Sequence, residues 1–151
     1  MAEDKAFNIF VDSSFDEKKK VCGIGIAMQK GGVWRKPISL YISADSNNYG
    51  ELFGCYIGAI LSGGAKCTIY TDSQTALGYI HKEIKDKPFT SQEKYYRHQE
   101  MKVLAYKTRK VNPSITFVHT KGHRKYFQNN SIGNNMADIL AKLGRAKFYE
   151  K

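Results

Sequence analysis

Four carboxylates in an otherwise basic chain, Asp12, Glu51, Asp72 and Asp138, stand where their side chains could meet. Asp12 follows the apolar run 7–11 (FNIFV) and Asp72 follows the run 66–71 (KCTIYT), so both are expected at the carboxyl ends of strands. In open α/β sheets, ligands bind in the crevice outside those ends. Glu51 falls in the first turn of one candidate helix, and Asp138 near the start of another. Four acids gathered at one place could not all stay ionised without cations, because like charges raise each other's pKa. An oxygen-rich carboxylate set suits Mg²⁺ or Mn²⁺. Two such ions about 3.5–4 Å apart stabilise both the attacking and the leaving oxygen of a phosphoryl transfer.

Each acid also has a plainer reading. Asn48-x-x-Glu51 has the spacing of a capping box, with Glu51 bonding back to the cap. Asp72 can cap a helix, Asp12 can close an Asx turn, and Asp138 can pair with Lys142 one turn on. Spacing alone does not decide between these roles and the shared site.

The surrounding sequence supplies the elements that would carry the acids. The run 7–11 reads as a short strand turning at Asp12-Ser13-Ser14, and the charged FDEKKK stretch as a hairpin loop. Residues 21–28 (VCGIGIAM) read as a second strand, whose two glycines suit close approach of another backbone or a ligand. Lys30-Gly31-Gly32 makes a turn, and 33–42 a third strand, which completes an antiparallel meander. The period then changes. Leu52, Phe53, Tyr56, Ile57, Ile60 and Leu61 recur at helical spacing until Gly63-Gly64. A strand over 66–71, a helix through Ala76, Leu77 and Ile80, and a basic helix over 91–110 follow, the last ended by Asn112-Pro113. Residues 115–119 (ITFVH) form the last strand and 121–132 a polar loop, before a final helix marked by Met136, Ile139, Leu140 and Leu143. Strands reached by helical crossovers are expected to be parallel.

Composition narrows the classes. The 151 residues carry 24 Lys+Arg against 14 Asp+Glu, a net +10, which favours a polyanionic partner such as nucleic acid. With 42% hydrophobic residues, ten Tyr and eight Phe, a sizeable core forms and disorder is excluded. Length and the lack of any linker or repeat imply a single domain over 1–151. No apolar run approaches the roughly 18–20 residues of a membrane span, and the start lacks a signal-peptide pattern. Cys22, Cys55 and Cys67 form neither a disulfide framework nor a metal knuckle, and read as buried small hydrophobes suited to a reducing cytoplasm.

The words VDSS, NNxxEL, YTDSQ, KGH and NxxAD, in this order and on these elements, resemble type 1 ribonuclease H from about Phe7 to Ala146. The resemblance implies a five-stranded mixed sheet, with the first three strands antiparallel and the first, fourth and fifth parallel, flanked by helices. It implies that Asp12, Glu51, Asp72 and Asp138 bind two Mg²⁺ (or Mn²⁺) ions. His123 of KGH would then assist product release or proton transfer. Asn48, Gln74 and Asn134 would lie along the minor groove of an RNA–DNA hybrid, where 2′-hydroxyls are read. The implied activity is endonucleolytic cleavage of the RNA strand, leaving 5′-phosphate and 3′-hydroxyl ends, by a monomer.

Some positions depart from the pattern. Ser13 stands where the family usually has glycine, with an effect expected on rate before loss of activity. The spacing from His123 to Asp138 is longer than is usual in cellular bacterial members. It resembles reverse-transcriptase-linked ribonuclease H domains, as does the GNxMAD ending at Gly133 to Asp138, although Met1 and the short length fit a free-standing protein. The only tryptophan, Trp34, is in the third strand, so Tyr79 or Phe89 would replace the aromatic that holds the DNA strand in many members, unless it is absent.

Lys82, Lys85, Lys87, Lys94, Arg97, Lys102, Lys107, Arg109 and Lys110 concentrate charge between the TDSQ helix and the last strand. Similar members carry a basic protrusion there, and Lys85 and Lys87 are the residues expected to grip phosphate, without reading sequence. The plainer reading is a solvated helix face laced with Glu93 and Glu100. His81, His98 and His119 lack ligand-like spacing. Two other functions stay open: a hybrid-binding module without turnover, and a DNA nuclease or junction resolvase of the same fold. Retention of all four acids opposes the first, and the candidate 2′-hydroxyl readers oppose the second.

Overall fold

A computed structural model describes residues 6–86, 88–120 and 129–150. The chain runs β1 (Phe7–Asp16), β2 (Val21–Lys30), β3 (Val33–Trp34), β4 (Ile38–Ser43), α1 (Asn47–Leu61), β5 (Cys67–Thr71), α2 (Gln74–Ile80), α3 (Gln92–Val111), β6 (Ile115–His119) and α4 (Asn129–Tyr149). One mixed sheet has the order β3-β2-β1-β5-β6, with β4 also paired to β2. β1, β2 and β4 are antiparallel, while β1, β5 and β6 are parallel, as helical crossovers require.

The expected third strand over 33–42 is two strands, which brings the sheet to six. The break falls at Arg35-Lys36-Pro37, because Pro37 has no N–H for the ladder and restricts the residue before it. Both pieces still pair with β2, and Arg35 N–H donates to Met28 O at 2.8 Å across the break.

β1 does not turn at Asp12. It continues to Asp16, because β2 offers partners along the whole length, from Phe7↔Lys30 to Asp16↔Val21. Its parallel ladder with β5 ends earlier, at Phe10↔Tyr70. Asp12 therefore lies where β1 parts from β5. The hairpin turn is set by Asp16, which accepts from the N–H groups of Lys18 and Lys19, and by Lys20 at φ 54°.

Helices cover both faces. α4 crosses β1, β2 and β4 on one side, and α1 lies on β1, β2 and β5 on the other with α3 beyond it. β2 is buried from Val21 to Met28, so it reads as one apolar run and not as an alternation. Its glycines admit α4. A Cβ on Gly23 would sit 2.0 Å from Ala141 O, and one on Gly25 2.1 Å from Ala137 O. The close approach expected at these glycines is thus to another backbone. The main core unites Ile9, Val11, Ile24, Ile26, Leu52, Cys55 and Ile69 under α1. All three thiols are buried and free. Residue 132, expected in the polar loop, is already within α4. Among the described residues, no helix is long and apolar enough to cross a membrane.

Candidate active site

Three elements deliver three acids to one point. Asp12 comes from β1 beyond its ladder with β5, Glu51 from the second turn of α1, and Asp72 from the residue after β5. One carboxylate oxygen from each lies within 4.8 Å of the others. Asp138, in α4, is in hydrogen-bonding contact with Asp12 from the opposite face of the sheet and pairs with Lys142 at 3.2 Å. The plain i,i+4 reading of Asp138 and its place beside the other acids are therefore both true.

The caps fall to serines and not to the acids. Ser46 Oγ accepts from Tyr49 N–H at 3.1 Å to cap α1, so Asn48 and Glu51 form no capping box. Ser73 Oγ accepts from Ala76 N–H at 3.0 Å to cap α2, so Asp72 is not the cap. A neighbouring serine does the capping in each case and leaves the acid for the cluster.

Glu51 is 1% exposed, an unusual place for an acid. Its Oε1 lies 2.7 Å from the Ser13 hydroxyl, and its Oε2 accepts from the Thr71 hydroxyl at 2.7 Å. Burial pushes its pKa up to about 8, the charges of Asp12 and Asp72 add to the rise, and the two hydroxyls oppose it. Burial first, then the charge of Asp72, pushes Asp12 up to about 7, with Asp138 adding and the Ser13 N–H at 2.8 Å opposing. Burial and mutual repulsion thus oppose full ionisation of the cluster in the metal-free chain. An all-oxygen donor set of this kind fits a hard divalent cation, which would supply the missing positive charge.

Val11, Thr120, Asn134 and Asn135 complete the cleft around Asp12, Asp72 and Asp138. Thr120 N–H donates to Thr71 O at 2.9 Å, and its hydroxyl to Asn134 Oδ1 at 3.4 Å, which ties the end of β6 to α4. On the other wall, Ser73 Oγ donates to Asn48 Oδ1 at 3.3 Å and links the starts of α2 and α1. Gln74, the first residue of α2, is exposed next to them. Thr71, Thr120 and Asn135 join the site without being among the expected site residues, although Thr71 stands within the YTDSQ word. A second signal for Thr71 is a threonine in the buried alternation of β5 (Cys67, Ile69, Thr71).

His98 is a satisfied core histidine, with Nδ1 2.7 Å from the Tyr79 hydroxyl and Nε2 2.6 Å from Asp86 Oδ1. The Nε2 bond, and after it the bond and charge of Lys102, hold the Asp86 carboxyl below its ordinary range. Tyr79 and Phe89, the two candidate aromatics, both touch His98 and line one groove with Asn48, Thr75, Lys94 and Arg97. The basic segment divides. Arg97 pairs with Glu93, Lys102 with Asp86 at 3.3 Å, and Arg109 donates to the Tyr79 and Ile80 carbonyls at the end of α2. Lys85 is exposed. Lys87 and His123 lie outside the described residues.

A family model described as RNase H matches residues 4–146. Among solved structures, the chain is similar to ribonuclease H1 from the halophilic archaeon Halobacterium salinarum (TM-score 0.69, 15% identity, 94% of this chain and 98% of that one). It is similar to LC11 ribonuclease H1 in complex with RNA/DNA hybrid (TM-score 0.63, 21% identity, 95% and 99%). It is also similar to the prototype foamy virus protease–reverse transcriptase (TM-score 0.68, 18% identity, 96% of this chain), of whose length it spans 22%. No curated protein sequence matches it.

Proposed function

The chain belongs to the ribonuclease H family, and from that premise we propose that it hydrolyses the RNA strand of RNA–DNA hybrids. The observation that carries this reading is the meeting of Asp12, Glu51 and Asp72 within 4.8 Å, from three separate elements, in a fold that must raise pKa values to tolerate it. Such a cluster is costly unless it works with cations. Asp12, Glu51, Asp72 and Asp138 would hold two Mg²⁺ or Mn²⁺ ions. Bound there, the ions supply activation of the attacking water and neutralisation of the leaving oxygen, to give 5′-phosphate and 3′-hydroxyl ends.

The chain's own groups do the rest. Asn48, Gln74 and Asn134 flank the acids with amide donors and acceptors suited to 2′-hydroxyls, the group that separates RNA from DNA. The groove lined by Tyr79, Phe89, Lys94 and Arg97 offers aromatic and cationic contacts to the DNA strand. Lys85 and Lys87 would add phosphate contacts, and His123 would assist proton transfer or product release.

The test uses labelled RNA–DNA hybrid, double-stranded RNA and duplex DNA, each with Mg²⁺, with Mn²⁺ or with EDTA. Cleavage of the hybrid RNA strand alone, abolished by EDTA, is expected. Equal cleavage of duplex DNA would favour a DNA nuclease, hybrid retained without cleavage would favour a binding module, and full activity in EDTA would remove the metal from the mechanism.

A further inference from the structure

Glu51 has a long side chain, and its helix alone does not fix where the carboxylate points. Two hydroxyls do, one on each oxygen. Thr71 reaches Oε2 from β5, and Ser13 reaches Oε1 from β1. These are the strands that part at the acidic cluster, so the carboxylate is held across the gap between them.

Ser13 is placed for this by the sheet. Its Cα is locked opposite Ile24 in the ladder with β2. Strand alternation puts its side chain with those of Ile9 and Val11 on the face that α1 covers, while Phe10 and Asp12 face α4. The first turns of α1 press close at this point. A Cβ on Gly50 would lie 2.2 Å from Cys22 Sγ and 3.7 Å from Ser13 Cβ. The hydroxyl then has two acceptors in reach, Glu51 Oε1 at 2.7 Å and Asn47 Oδ1 at 2.8 Å. It owns one proton, and Glu51 Oε1 is the nearer of the two acceptors.

We infer that Ser13 is a positioning residue for Glu51, fixing the plane of its carboxylate so that the acid meets Asp12 and Asp72 before any cation arrives. The inference rests on the reading of these acids as a divalent-cation site. A side chain that holds a ligand in place without touching the metal sets its affinity, since a ligand free to rotate must be ordered on binding. Removing the hydroxyl should weaken cation binding and leave the fold intact.

The experiment is calorimetric titration of the full chain with Mn²⁺ in the absence of nucleic acid, for the unmutated protein, S13A, S13T and E51Q, alongside thermal melting in EDTA. S13A should stay folded in EDTA, melting at most a few degrees below the unmutated protein, yet bind Mn²⁺ more weakly, on the order of tenfold. S13T retains the hydroxyl and suits a strand, so it should bind nearly as the unmutated protein does. E51Q should lose at least as much affinity as S13A. If E51Q loses affinity while S13A does not, or if S13T is as weak as S13A, the positioning role is wrong. If neither E51Q nor S13A changes binding, the cation site itself is misassigned and the positioning role falls with it.

Discussion

The Thr71 hydroxyl, at a position with no solvent exposure, donates to Glu51 Oε2 at 2.7 Å and accepts from Ser73 N–H at 3.1 Å. One side chain thus links the end of β5, the buried acid of α1 and the cap of α2. Thr71→Val keeps the shape and removes the hydroxyl, leaving a buried acceptor and a backbone donor unpaired. The expected cost is about 1–3 kcal/mol. In a chain of this size each kcal/mol lowers the melting temperature by about 2–4 °C. Thr71→Ser should recover most of the loss. Identical melting of the valine variant and the unmutated protein would show that the hydroxyl is dispensable.

The acidic cluster makes stability depend on pH. Asp12 at about 7 and Glu51 at about 8 are above their ordinary values of 3.8 and 4.5, so the folded chain holds these protons more tightly than the unfolded chain does. The stability this confers is fully present below about pH 4 and is lost as the pH rises through about 7 to 8. In EDTA the melting temperature should therefore fall between about pH 5.5 and about pH 8.5, and Asp12→Asn should flatten that fall and melt higher at the alkaline end. Excess Mn²⁺ should stabilise the unmutated chain more at the alkaline end than at the acid end, because binding needs ionised carboxylates. A melting curve equally steep in Asp12→Asn would refute the cluster as its source.

Much of this architecture is legible in the amino-acid order. Apolar runs bounded by Gly and Asn-Pro mark the strands and helices, and the words around the acids mark the site. Asp12, however, lies inside β1 and not at its end, and Asp138 lies well inside α4 and not near its start. What the order of residues does not decide is competition between neighbours. Ser46 and Asn48, or Asp72 and Ser73, are all good caps, and the choice depends on what else the acid touches. The extension of β1 through Asp12-Ser13-Ser14 is hidden because those residues favour turns locally, and only the facing β2 ladder overrides that preference. The Ser13–Glu51 contact joins residues 38 positions apart and leaves no trace in spacing.

Gly25 governs how closely α4 lies on the sheet. An alanine there would put its Cβ 2.1 Å from Ala137 O and 2.4 Å from Ala141 N, both backbone atoms that cannot turn aside. Gly25→Ala should cost about 3 kcal/mol or more, as overpacking does. It should also move Asp138 away from Asp12, so activity at a temperature where the variant is still folded should drop. Gly32→Ala is the control: it is strained by φ +80° but has nothing within 4 Å and lies away from the site, so it should lose some stability and keep its activity. Gly25→Ala melting within a degree or two of the unmutated protein would mean that the helix is free to shift.

Asp72→Asn should abolish cleavage while preserving the fold and hybrid binding. Asp72 lies just past the last residue of β5 and just before Ser73, and Ser73 holds the cap of α2, so the substitution disturbs neither ladder nor cap. The charge of Asp72 is the second-largest cause of the raised Asp12 pKa, so its removal relieves repulsion, and the metal-free chain should melt no lower. What goes is one of three carboxylates that converge within 4.8 Å. Magnesium depends strongly on such ligands, so poorer occupancy removes support for the attacking and leaving oxygens together, and the rate should fall by orders of magnitude. Hybrid affinity should persist, because it rests mainly on Lys and Arg contacts to phosphate, and it should weaken with salt to the same degree as in the unmutated chain. Melting in EDTA, hybrid binding at fixed salt and single-turnover cleavage separate these effects. A variant that melts lower yet still cleaves would make Asp72 a structural residue and return the site to Asp12, Glu51 and Asp138.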